Sequence, residues 1–379
     1  MPTLAFRWTD PRRVAVGALG VAYALTALAV ARLAGGASYA GRSGTAGALV
    51  VAAGLALIVG GLVATTVEPI RKLGGLAILA GFTWFGPVWE GWSVGPPVVR
   101  TLGMLVWGFT FALLANLILA YPTGSLRSRA ERLPVKVVYL ETLLVAVGLA
   151  VFRDPFFDVH CWANCTDNVF LVWSVPGLAR ATVLIDRWFT VVVATALVVS
   201  VAWRLVHGSG SAARALIPIV APTVLIASAI WGRVLTLQQT PVEDPTDPVF
   251  FATFVLGAAG VILLALAVVW AAARSRLHHR AVSRIVTDLR EVPAPGSVEA
   301  ALAAAIGDPD LRIAYWLPAA GRFVDASGAT VTEPAESPGR SVTTLVREDR
   351  RVAVVSHLAT LPDLQRELGS AVRLGLENE

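Results

Sequence analysis

From about Val14 to Ala273 the chain runs in apolar stretches, each long enough to cross a lipid bilayer, and then switches abruptly to a charged tail of about a hundred residues. A hydrocarbon core about 30 Å thick needs roughly 20 apolar residues per helix. Eight stretches meet that demand, at roughly 14–34, 46–66, 73–93, 98–121, 135–153, 180–204, 213–237 and 249–273. Each is apolar on nearly every side, and helix is the only economical reading, because lipid offers no partners for open backbone groups. Charged residues are only 15% of the chain, against about 25% in a soluble domain. The expected fold class is a polytopic α-helical membrane protein of about eight transmembrane helices followed by a small α+β cytoplasmic domain. Its parts are a membrane domain over 1–273, a juxtamembrane helical linker over 274–296 and a compact lobe over 297–379.

Arginine and lysine alternate between the connections. One set carries Arg7, Arg12 and Arg13, then Arg71 and Lys72, then Arg127, Arg129, Arg132 and Lys136, then Arg204 and Arg214, then Arg274, Arg276 and Arg280. The other set holds fewer cations over longer loops, together with Glu243, Asp244 and Asp247. The positive-inside rule makes the first set cytoplasmic, and an even span count puts both termini there. The expected location is the cell membrane. The first apolar stretch reads as a retained anchor, since seven more follow it. The net charge of +5 is juxtamembrane arginine; the tail has no basic stripe of the kind that binds nucleic acid.

The external loop after Arg153 contains Cys161 and Cys165, the only cysteines. On the outer side they can form a disulfide. With His160 and Asp158 they can also be read as a metal site, though they do not make a closed tetrahedral set. Glu141 and Arg233 are the deepest ionisable residues within the spans. They can line a ligand pocket, form a coupling ion pair between helices, or reach for the headgroups. Glu90, Asp186 and Arg187 read more simply as snorkelling side chains. Trp84, Trp89, Trp92 and Trp107 suggest an aromatic belt or a stacking pocket, and Asn116 a hydrogen bond across a helix interface. Pro218 and Pro222 are expected to break and bend the seventh span. No catalytic constellation emerges, and no cofactor is implied.

The tail begins with a continuation of the last span and ends in the apolar face Leu364, Leu368, Val372 and Leu376. Between them, Ser297 caps a short helix that Gly307 stops. Four strand-like runs follow, LRIAYWLP, GRFVD, SVTTLVRE and RRVAVVSHL, with turns at Ala319–Gly321 and Glu348–Arg350. His278 and His279 lie among arginines at a membrane exit, and His357 is followed by Leu358, so none reads as a phosphoacceptor.

Three parts of this sequence resemble one family. The tail, through IVTDLREVPAPGSVEAALAAAIGDPDLRIAYWLPAAGRFVDASG, SVTTLVREDRRVAVVSHL and AVRLGLENE, resembles the region upstream of the kinase core in actinobacterial membrane sensor histidine kinases. LANLILAYPTGSLRSRAERL at 114–133 is similar to that family's span ending in a Tyr-Pro-x-Gly turn, and CWANCTDNVFLVW at 161–173 to its cysteine-bearing loop. The resemblance implies a reduced GAF-like lobe whose last helix leads toward a dimerisation helix. It implies a likeness to a homodimer in the lipid bilayer that senses and transmits a signal in a two-component system. The sequence given stops at Glu379, before any His-Asp-Gly stretch or ATP-binding core, so enzymatic activity is left open: the gene is truncated or split, the chain is part of a longer polypeptide, or it is a stand-alone receiver of the signal that works with a kinase core or response regulator in trans. Two other readings stand beside it: a membrane scaffold for a separate kinase or partner, and a transporter with a cytoplasmic regulatory domain, its path lined by Glu141 and Arg233.

Overall fold

The structure is a computed structural model. It describes residues 10–34, 38–126, 129–158, 167–208, 210–240, 242–288, 299–300, 302–303, 308–318, 320–337, 340–347 and 350–358. The chain divides into two compact units, residues 1–203 with 217–270, and residues 204–216 with 271–379.

Ten α-helices are described: α1 (Pro11–Leu33), α2 (Tyr39–Arg42), α3 (Gly44–Thr65), α4 (Arg71–Thr83), α5 (Gly86–Glu90), α6 (Pro97–Ala120), α7 (Arg129–Phe152), α8 (Pro176–His207), α9 (Gly210–Gln239) and α10 (Pro248–Asp288). Seven of them (α1, α3, α6, α7, α8, α9 and α10) contain a segment long and apolar enough to cross a membrane. The architecture is compatible with a polytopic helical membrane protein. The stretch expected as a third continuous span, 73–93, is instead two pieces. Helix α4 has 13 residues and α5 has five, and Trp84 and Phe85 lie between them.

Glycine explains how so short a helix is held. Gly54 and Gly61 on α3 face Gly81 and Gly74 on antiparallel α4. A Cβ on Gly61 would lie 2.6 Å from the Gly74 carbonyl oxygen, and one on Gly81 2.8 Å from that of Gly54. The backbones meet where side chains are absent, the small-residue packing that substitutes for a hydrophobic drive in lipid. Trp84 is part of this core and not of a belt. It is buried, and its Nε1–H donates to the Val50 carbonyl at 3.1 Å. Helix α9 continues unbroken through Pro218 and Pro222, contrary to the break expected there. The Thr223 hydroxyl donates back to the Ile219 carbonyl at 2.7 Å, an ordinary i−4 bond within the helix. Asn116 on α6 donates to Tyr139 Oη on α7 at 3.3 Å, the interhelical bond its position predicts.

In the second unit a five-stranded antiparallel sheet runs in the order β3-β2-β1-β5-β4. Its strands are β1 (Arg312–Leu317), β2 (Arg322–Val324), β3 (Thr330–Val331), β4 (Arg340–Arg347) and β5 (Arg350–Leu358). Four match the runs read from sequence, and β3 is an additional short edge strand. Ala314 pairs with Val354 and Trp316 with Phe323, placing these four on one face around a small core. Ile313, Ala353 and Val355 are buried on the opposite face. Asp308 is buried beside the sheet. Its carboxylate accepts from the Leu358 N–H at 3.0 Å and from the Arg340 guanidinium at 3.4 and 3.5 Å. His357 is also buried, with Nδ1–H donating to the Leu358 carbonyl and Nε2 against the Thr343 hydroxyl, a structural role with no open ring nitrogen. The helices expected around 297–307 and 361–379 lie wholly or mostly outside the described residues.

Candidate functional site

A connected polar cluster of the first unit surrounds the α9–α10 connection. It is built from local rules. Asp247 caps α10, accepting from the N–H groups of Val249 (2.7 Å) and Phe250 (3.2 Å). Asp244 closes the turn before it by accepting from the Thr246 N–H and hydroxyl, both at 2.7 Å. Those two caps fix the path of the connection and bring Glu243 back over the end of α9. There its Oε2 takes Arg233 Nε at 2.8 Å and Nη2 at 2.5 Å.

The single turn of α2 grips the same place at two points. Tyr39 and Arg42 are three residues apart and share a face, as do Phe251 and Phe254 at the start of α10. The Tyr39 ring stacks on Phe254 at 4.6 Å and 3°, and its hydroxyl donates to Glu243 Oε1 at 2.7 Å. The Arg42 guanidinium lies 4.1 Å over the Phe251 ring and donates to the Pro245 carbonyl at 2.8 Å. Burial, and then the neighbouring Glu243 charge, push the Tyr39 phenol well above its ordinary value, so it stays a donor throughout the physiological range.

Further charges gather here. Glu90 on α5 feels Arg153, Glu243, Arg233 and Asp158, and Arg187 on α8 feels Arg233 and Glu243. Four connections therefore share one end of the bundle. Arg100, at the start of α6, donates to the Glu90 carbonyl at 3.4 Å, and Thr101 donates to the Asp167 carbonyl at 2.6 Å. Asn168 fastens the α7–α8 loop by donating to the carbonyls of Leu149, Ala150 and Arg153 at the end of α7. The other end is marked by Arg13, which donates to the Thr65 carbonyl at 3.3 Å, and by Gly124, which packs on Ile70. The α4–α5 pair thus begins beside the C-terminal end of α6 and finishes beside its N-terminal end.

Of the residues singled out from sequence, Arg233 belongs to this cluster, at the α9 end and not deep in a span. It is not brought to Glu141. The Glu141 carboxyl on α7 has an enclosed Oε1 without a hydrogen bond, and the charge that acts on it is another acid, Asp186. Glu90, read as a snorkelling group, has two arginines (Arg153, Arg233) and two acids (Glu243, Asp158) among the charges that act on it. Cys161, Cys165 and His160 lie outside the described residues. Asp158, the remaining member of that metal reading, pairs with Arg153 at 2.6 Å. Among the described residues no group of three metal-ligating side chains occurs. Sequence reasoning passed over Tyr39 and Arg42. Their i, i+3 spacing opposite Phe251 and Phe254 carries no signal until the fold places 39–42 beside 243–254. Compared with known proteins, the chain matches no family model, no curated protein and no solved structure.

Proposed function

We propose that the chain is a membrane-embedded sensing and signal-transmission module of a two-component histidine kinase system. The carrying observation is α10. It starts at the Asp247 cap inside the charged cluster and continues without a break to Asp288, 41 residues and about 60 Å, roughly twice a hydrocarbon core. A continuous helix that begins in the charged cluster of the first unit and runs on into the second suits the relay of a displacement. The clamp of Tyr39 and Arg42 on its first turn is the input. The GAF-like lobe around the five-stranded sheet is the receiver.

The same reading sets the chain in the cell membrane with about eight crossings, the third being α4 and α5 together, and with both termini cytoplasmic. Two observations support it. The α4–α5 pair covers the same span of the bundle as α6, end to end. The connections poorest in arginine and lysine gather at one end, where the positive-inside rule expects the external side. In this reading the module works as a homodimer and passes its signal to a kinase core or response regulator. A permease reading needs Glu141 and Arg233 on one path, and the binding of Arg233 to Glu243 does not favour it.

A chimera carrying a related dimerisation and ATP-binding core after Glu379 tests the proposal in membranes. Autophosphorylation should change when Tyr39→Ala and Arg42→Ala weaken the clamp. Autophosphorylation indifferent to both substitutions, and to removal of the membrane half, would reject it.

A further inference from the structure

At the end of the first unit where α1, α4 and α7 begin, some cations have no partner in the protein. Three contacts assemble this end. Arg13 donates to the Thr65 carbonyl at 3.3 Å, Gly124 packs on Pro69 and Ile70 just before α4, and Arg132 donates to the Leu126 carbonyl at 2.8 Å. Asp10 pairs with Arg13 at 3.7 Å and Glu68 with Arg71 at 3.5 Å. Glu131, the acid in the first turn of α7, is also engaged. Arg12, Lys72, Arg129 and Lys136 remain. All are exposed, and among the described residues their side chains make no hydrogen bond and no ion pair. The positive poles of the helices that start here add to their charge. The opposite end differs. There Arg42 and Arg100 are held by the carbonyls of Pro245 and Glu90, and Arg153 and Arg233 by Asp158 and Glu243.

Solvated cations need no partner, so their freedom alone identifies none. The residues beside them on α7 do. Arg129, Leu133 and Val137 follow at i, i+4 and i+8 and share a face, which Leu140 and Leu144 continue. All four apolar members are exposed. Lys136 lies next to this stripe, and a helical side chain leans toward the N-terminal turn, which carries its ammonium toward Arg129 while its stem covers the apolar surface. The face therefore reads as two cations at the tip and an oily track below them. That is the complement of an amphiphile with an anionic head. We propose that the start of α7 is a docking site for an anionic phospholipid, its phosphate at Arg129 and Lys136 and its acyl chains along Leu133, Val137, Leu140 and Leu144, with Arg12 and Lys72 adding to the attraction of the same end. Charge selects the head: a zwitterionic lipid brings its own cation, and an anionic one does not. The track selects the tails, which a nucleic acid or a soluble phosphate lacks. The inference rests on the membrane reading of the helices and not on the signalling role.

Native mass spectrometry of the full chain tests it, after reconstitution in vesicles of equal parts phosphatidylcholine and phosphatidylglycerol and extraction in mild detergent. Phosphatidylglycerol should be retained several-fold over phosphatidylcholine, and the preference should fall as salt is raised. Arg129→Gln with Lys136→Gln should remove most of it, and Arg129→Lys with Lys136→Arg should keep it. Arg180→Gln, which neutralises an exposed arginine at the opposite end, should leave it unchanged. Retention without headgroup preference, or a preference that survives intact in Arg129→Gln with Lys136→Gln, overturns the proposal. Displacement of the lipid by glycerol phosphate overturns it too, because a head that competes without tails marks a site for free phosphate. Should the double variant fail to insert, Lys136→Gln alone leaves the arginines that orient α7 and should lower the preference; an unchanged one is equally contrary. The readout is lipid held by the purified chain, so the site can fail while the relay, read in the chimera, stands.

Discussion

The Glu243 carboxylate binds Arg233, ten residues before it, through one oxygen and Tyr39, 204 residues before it, through the other. One side chain thus ties the connection between the first two long helices to the connection between the last two. Removing its parts should have graded effects. Tyr39→Phe keeps the stack on Phe254 and loses one hydrogen bond, about 0.5–1.5 kcal/mol. Glu243→Ala also strands Arg233. Because both partners are partly exposed, the loss should stay near about 1–2 kcal/mol, well below that of a fully buried pair. Denaturant unfolding in detergent, followed at the tryptophans, measures the difference.

The Tyr39 phenol should outlast ordinary tyrosines in alkali. Its value is raised in the folded chain, so its stabilising share is fully present below the unfolded value near 10 and is lost only as pH rises through the higher folded value. A wild-type minus Tyr39→Phe difference titration of phenolate absorbance should show ionisation well above pH ~10. A midpoint at the ordinary value would mean that Tyr39 is not enclosed against Glu243.

Gly61 and Gly74 should not accept side chains. Gly74→Val drives a branched side chain into the α3 backbone and should cost at least about 1–3 kcal/mol, the usual penalty of overpacking. Gly75, one residue on, has open space around its Cβ position and should accept alanine with little change. Thermal aggregation of the two purified variants compares them.

In the sheet unit, Arg340→Ala leaves the buried Asp308 carboxylate with backbone N–H donors alone. The long contacts, 3.4 and 3.5 Å, place the loss toward or below the low end of the range for a broken buried pair, about 2–3 kcal/mol. Exchange protection over β5 should fall, while that of α3 and α4 is unaffected.

Much of this was legible in the sequence. Hydropathy located the long helices because lipid imposes a length and a composition that few other structures share. Alternating strand patterns located four of five strands, and two-residue β3 is too short to carry a period. The third span misled because composition reports burial in lipid but not the interruption at Trp84–Phe85, which follows from packing on α3. Pro218 and Pro222 misled in the opposite direction: proline removes a donor, yet the helix runs on. The candidate site was half legible. Arg233 stood out as a charge among apolar residues, but Glu243 looked like an ordinary loop acid, and nothing in the spacing of Tyr39 and Arg42 announces a partner two hundred residues away.

The central claim is that displacement at the start of α10 reaches the sheet unit. A spin label on Leu277, an exposed position near the far end of the span, tests it most directly in the full chain with Cys161 and Cys165 replaced by serine. Combining Tyr39→Ala with Arg42→Ala should shift the label's distance to a second label on α6, and should change exchange protection in β1 and β5. A label distance and a protection pattern identical to those of the intact clamp would contradict the account.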